Sequence, residues 1–214
     1  MGKEFQKRLL SSIILIPISF FFIFKGSNYF IIFLTILFLI STTEWSMMVK
    51  KNEIKIAGIL FLLFSFYSAF IIREGNFEYF LLLLIICIST DIGGYIFGKI
   101  FGGPKLIKIS PNKTYSGMLG SFLLPIIFSY IFLLKYAFEL NKIKNFTDNY
   151  TLLLTVIVIS TVSQTGDLII SFFKRSSKIK NTGKILPGHG GLLDRIDGMI
   201  FVFSFVYLIE LIQG

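Results

Sequence analysis

The chain has 214 residues, of which 54% are hydrophobic, 17% aromatic and only 15% charged, with a formal net charge of +9 and a mean hydropathy of +0.79. Water-soluble domains average about 25% charged residues, so this composition excludes a soluble globular domain and indicates an integral membrane protein. The single cysteine, Cys87, excludes an intrachain disulfide and leaves packing to hold the fold.

Uncharged runs cover residues 9–24, 26–43, 56–72, 79–90, 114–134, 149–166 and 198–209. A spanning helix needs about 20 mostly apolar residues, or about 17 when its ends carry snorkelling side chains, and seven spans fit. Lys3, Lys7 and Arg8 precede the first run as they would in a signal peptide, yet no small-residue cleavage pattern follows, so this run is expected to remain as the first helix. The fourth run is short but continues past Asp91 as IGGYIFG, and the seventh extends toward the C-terminus. The expected fold class is all-α and polytopic, one membrane-embedded domain in which residues 1–86 supply N-terminal transmembrane helices and 87–214 the catalytic region. Seven spans place 16 of the 21 Lys and Arg residues on one side. That side is expected to be cytoplasmic and to carry the N-terminus and the segments 99–115 and 171–198. No loop exceeds about 30 residues, so chemistry is expected at the membrane face.

Carboxylates inside apolar runs are costly unless something compensates them. Asp91 sits in CISTDIGGYIFG and Asp167 in STVSQTGDLIISF, on runs that travel in the same direction, so the two can meet near the cytoplasmic boundary. A packing role, each pairing with a Lys or Arg, is the plain alternative; their Ser, Thr and Gly neighbours favour a hydrophilic cavity. The run GGYIFGKIFGG equally suits a close helix contact or a site.

Residues 184–198, KILPGHGGLLDRIDG, form a loop that turns into a helix start: Pro187 and Gly188 stop a helix, Gly190 and Gly191 allow close backbone approach, and LLDRIDG enters the last span. Asp194 and Asp197 are three apart and share a face if that turn is helical. Helix capping by Asp194 and a structural His189 are the plain readings here. Magnesium favours one or two carboxylates plus substrate phosphates, which Asp167, Asp194 and Asp197 offer, whereas the Cys and His clusters that zinc requires are missing from the sequence. Lys174, Arg175, Lys178, Lys180 and Lys184 suit phosphate oxygens or anionic headgroups, and also suit a pure orientation signal.

The run SFFKRSSKIKNTGKILPGHGGLLDRID, residues 171–197, resembles the signature of the phosphatidate cytidylyltransferases, membrane enzymes that make CDP-diacylglycerol. SQTGD at 163–167 and DIGGYIFGKIFGGPKLIKISPNKTYSG at 91–117 resemble the family's Asp-Gly segment and Ser-Pro-x-Lys-Thr motif, and TEW at 43–45 is similar to an acidic-aromatic pair of the family. Two positions depart from the pattern: Asn181 stands where an Asp is usual and Tyr115 where a Trp is usual.

The resemblance implies transfer of CMP from CTP to phosphatidate, with pyrophosphate leaving and magnesium or another hard divalent cation as cofactor. It implies metal ligation by Asp167 and Asp194, with Asp197 and Asp91 as additional or supporting ligands. Lys174, Arg175, His189 and Arg195 would be catalytic, and Lys113, Thr114, Lys180, Lys184, Gly190 and Gly191 would bind substrate. The expected partners are CTP, phosphatidate and membrane lipid, with a homodimer compatible and no nucleic acid involved; the expected location is a bacterial plasma (inner) membrane. A CTP-dependent lipid kinase and, in a different class, a secondary transporter using Asp91 and Asp167 are the alternatives.

Overall fold

The computed structural model describes residues 3–107, 110–140, 149–183, 185 and 190–213. Among these residues seven helices follow in order: α1 Lys3–Lys25, α2 Ser27–Met48, α3 Asn52–Gly75, α4 Phe77–Phe101, α5 Tyr115–Leu140, α6 Asn149–Ser176 and α7 Leu193–Gln213. Among the described residues, six helices (α2 to α7) are long and apolar enough to cross a membrane, while α1 supplies the shorter apolar stretch Leu15–Lys25. The chain is an all-helical membrane bundle, with one exception to the expected all-α class. Strands β1 Lys105–Ile107 and β2 Ser110–Thr114 form an antiparallel ribbon between α4 and α5. Its start is readable: Gly102 and Gly103 adopt φ of 59° and 103° and end α4, and the ribbon begins two residues later at Lys105.

The sites where helices end also differ from the uncharged runs. α4 passes straight through Asp91 and Lys99, α6 runs on to Ser176, and α7 begins at Leu193 rather than 198. A charge therefore did not terminate these helices; it marked where a helix faces a polar space. The boundary between residues 86 and 87 falls inside α4, and a single apolar cluster runs from Phe30 in α2 to Val206 in α7.

α4 is central to that cluster, with Leu82, Leu83 and Ile86 fully buried. Phe80 stacks on Phe203 of α7 with centroids 5.2 Å apart and meets Phe30 of α2 edge-on at 5.6 Å. Hydroxyl bonds stitch the helices where lipid offers no competing partner: Ser65 to Ser204 at 2.7 Å joins α3 to α7, and Thr90 donates to Ser160 at 3.0 Å to join α4 to α6. α4 and α5 touch backbone to backbone. A Cβ on Gly93 would overlap the carbonyl of Gly120, and one on Gly117 would overlap the carbonyl of Gly94. The glycine run of α4 is thus a close-packing face, and it brings the ribbon and the start of α5 against the polar end of α4.

At the opposite end of the bundle, Arg73 donates to the Ile23 carbonyl at 2.9 Å and pairs with Glu74, which accepts from the Ser27 amide at 2.9 Å. These contacts satisfy the exposed carbonyls at the end of α1 and tie the first three helices together.

Candidate active site

α4, β2, the start of α5, α6 and the start of α7 enclose a cavity of about 360 Å³. Asp91, Asp167, Asp194 and Asp197 all line it, together with Lys113 and Arg195. The helical first turn of α7 puts Asp194 and Asp197 on one face, as a spacing of three requires. Asp167 accepts a 2.6 Å ion pair from Lys113, and Ser171 one turn further along α6 donates to its other oxygen at 3.3 Å. Asp197, 7% exposed, lines the same wall as Asp167, and its Oδ1 accepts from the Gly198 amide at 3.0 Å. Asp91 completes an acidic wall on the α4 side.

Asp194 is engaged differently. Its Oδ1 takes a 2.8 Å ion pair from Lys174, and its Oδ2 accepts from the amides of Thr182 at 2.9 Å and Gly191 at 3.1 Å. The reach back to Gly191 ties the first turn of α7 to the residue just before its cap. Lys174 is 8% exposed, so this pair sits in the interior and organises the loop that precedes α7. Only Oδ1 of Asp194 keeps spare capacity toward the cavity.

The remaining sequence-derived residues divide into four groups. Thr114 lines the cavity, yet its hydroxyl caps α5 by accepting from the Gly117 amide at 3.1 Å. Arg175 and Lys180 are exposed and do not line the cavity; Arg175 donates instead to the Ile179 carbonyl at 3.3 Å. Gly191 is buried, with no room for a Cβ beside Thr182, and Gly190 holds φ of 92°, a conformation that glycine adopts at no steric cost. His189 and Lys184 lie outside the described residues.

A model of the cytidylyltransferase family matches residues 59–212, most of the chain. The chain belongs to the cytidylyltransferase family. Its curated relatives include the phosphatidate cytidylyltransferases of Staphylococcus haemolyticus and Staphylococcus epidermidis, each 39% identical over 138 residues, 64% of this chain and 50% of the relative. That of Staphylococcus aureus is 38% identical over 143 residues, 66% of this chain and 52% of the relative. The chain spans about half the length of the curated relatives it matches.

The sequence assigns no role to two side chains of this cytidylyltransferase-family site: Gln164 stands inside SQTGD and Glu44 inside TEW, each noted only as part of a resembling segment. Gln164 of α6 lines the cavity, and its buried Nε2 has no hydrogen-bond partner among the described residues, a donor left for a ligand or water. Glu44 of α2 is fully buried and accepts three hydrogen bonds from the loop and the start of α7. Its signals in the sequence are the TEW resemblance and its place at the end of an apolar run, where a carboxylate obeys the same rule that picks out Asp91 and Asp167.

Asn181 is exposed, lies beside Gly190 and does not line the cavity. Asn181→Asp is therefore expected to alter turnover and metal requirement by less than the ~10-fold that supporting partners of a metal typically carry. Initial rates over a magnesium titration check this.

Proposed function

We propose that the chain transfers CMP from CTP to phosphatidate, forming CDP-diacylglycerol and pyrophosphate. The observation that carries this reading is the cavity that gathers Asp91, Asp167 and Asp197 with Lys113 and Arg195 at one end of a membrane bundle. The family membership and the names of the staphylococcal relatives support the same reaction. We place the chain in a bacterial plasma membrane with the N-terminus and the cavity on the cytoplasmic side. The concentration there of 16 of the 21 Lys and Arg residues supports that orientation.

The chemistry asks for little acid–base help. A phosphate monoester has a second pKa of about 6, so the phosphatidate oxygen arrives ionised and attacks the α-phosphorus of CTP while the bond to pyrophosphate breaks. What it asks for is positioning and charge neutralisation. Lys113 and Arg195 bind phosphate oxygens, and Gln164 donates its free amide hydrogens to a substrate oxygen. The bundle surface beside the cavity lets the lipid head reach it while the acyl chains stay in the bilayer.

A hard divalent cation fits the donor set. Among the described residues no three His, Cys, Asp or Glu side chains converge into a ready-made metal cage, but magnesium is commonly held by only one or two carboxylates with phosphates completing its shell. Asp167 and Asp197 would hold it, with Asp91 beside them and Asp194 offering one oxygen. When bound, it neutralises charge on the phosphates and orients them.

The test is to supply the purified chain with phosphatidate and CTP labelled on either the α- or the γ-phosphate. Label reaching the lipid from the α-position alone, with release of pyrophosphate, is the expected result. Transfer from the γ-position with release of CDP would make the protein a lipid kinase, and solute flux without nucleotide consumption would make it a transporter.

A further inference from the structure

The loop between α6 and α7 is held by a carboxylate from outside the matched family region. Glu44 belongs to α2, whereas the family match begins at residue 59. It is 0% exposed, and each of its bonds reaches more than a hundred residues along the chain. Oε1 accepts from the Leu192 amide at 2.9 Å; Oε2 accepts from the Leu193 amide at 2.8 Å and the Thr182 hydroxyl at 2.9 Å. The two amides are the open first donors of α7, which no intrahelical carbonyl satisfies. Gly183 and Gly191 press so close on the carboxylate that a Cβ at either would overlap it.

Neighbouring contacts repeat the attachment. Trp45 meets Phe173 of α6 edge-on with centroids 4.9 Å apart, and Ser177 donates to the Met48 carbonyl at 2.7 Å. The last turn of α2 thus seats both ends of the loop. Thr182 is the junction between the two carboxylates: its hydroxyl goes to Glu44 and its amide to Asp194. Arg195 and Asp197, which line the cavity, follow Leu193 within the same turn of α7.

We propose that Glu44 is a positioning residue for the reaction: it fixes the start of α7 and thereby the placement of Asp194, Arg195 and Asp197. Glu44 does not itself line the cavity, so it touches no substrate and acts only through that turn. The kinetic part of the proposal rests on the nucleotidyl-transfer reading above; the clamp itself does not.

Two variants isolate the clamp. Glu44→Gln keeps the side chain's size but turns an N–H donor toward donors, and Thr182→Val removes only the hydroxyl bond, leaving the Thr182 amide on Asp194. Thr182→Ser restores the hydroxyl. Hydrogen exchange of the full chain in detergent is expected to show the amides of 182 and 191–194 opening at least about tenfold faster in both damaging variants, with the α4 core at Leu82 and Leu83 unchanged. Turnover per folded molecule is expected to fall about 100-fold in Glu44→Gln, the order associated with a misplacement near 1 Å. Thr182→Val should fall in the same direction and Thr182→Ser should remain near wild type.

Wild-type exchange at 182 and 191–194 in both damaging variants would overturn the clamp. Faster exchange with wild-type turnover in the folded fraction would reduce Glu44 to a stability role and overturn the positioning claim. Should Glu44→Gln not fold, Thr182→Val carries both readouts. A wild-type chain whose amides are protected but which transfers no CMP overturns the reaction assignment instead, and the exchange comparison still decides the clamp.

Discussion

Asp197→Asn is expected to lower turnover by about 10²–10³-fold while leaving the protein as stable as wild type or more so. The loss follows from the removal of one hard anionic ligand, a contribution of several kcal/mol to charge stabilisation, at about 1.4 kcal/mol per tenfold. The stability gain follows from the acidic wall: Asp91, Asp167 and Asp197 share one cavity, and Asp197 is buried next to Asp167. Lys113 pairs with Asp167 of this trio at 2.6 Å. Neutralising one carboxylate therefore relieves repulsion that Lys113 offsets in part and a bound cation would offset further. Thermal unfolding beside initial rates checks the pair of effects, and a parallel loss of both would remove Asp197 from the chemistry and leave it a structural residue.

Asp194→Ala is expected to do the reverse to stability, costing about 3–5 kcal/mol because it strands a buried charge, and to abolish turnover as well. Lys174 is 8% exposed and its ammonium pairs with Asp194 at 2.8 Å; the amides of Thr182 and Gly191 lose their acceptor at the same time. The double variant Lys174→Met with Asp194→Leu removes both charges together and is expected to recover most of the lost stability but none of the activity. Stability of the double variant no better than that of Asp194→Ala would show that the amide contacts, not the ion pair, dominate this site.

The bundle was legible because charge-free runs of spanning length leave little choice of fold, and the acidic wall because carboxylates in apolar helices have a cost that demands a reason. What was not legible has specific causes. The continuation of the fourth run past Asp91 and the helix start in LLDRIDG were legible, but not how far the helices run: α4 reaches Phe101 and α6 Ser176, since a charge at a helix end does not stop it. The ribbon from Lys105 to Thr114 escaped an all-α reading because strands of three and five residues, KLI and SPNKT, carry no clear period of two. Lys174 and Arg175 looked equivalent by charge, yet successive positions on a helix point about 100° apart. Accordingly Lys174 turns in to Asp194, and Arg175 turns out to the Ile179 carbonyl. Asp194 was placed at the metal by resemblance; the loop amides that occupy it come from residues 182 and 191, a convergence that only the folded chain displays. Glu44 brings a segment 138 residues away in sequence onto Thr182, a distance that no local pattern reveals.

The central claim is that the cavity ringed by Asp91, Asp167 and Asp197 carries out metal-dependent nucleotidyl transfer. The most direct measurement is CDP-diacylglycerol formation by the purified chain from CTP and phosphatidate, with magnesium titrated from chelated to saturating. The account predicts lipid product and pyrophosphate in equal amounts, rising from none with the metal. Product formation undiminished in chelator, or no product from folded chain across several divalent metals, would contradict it.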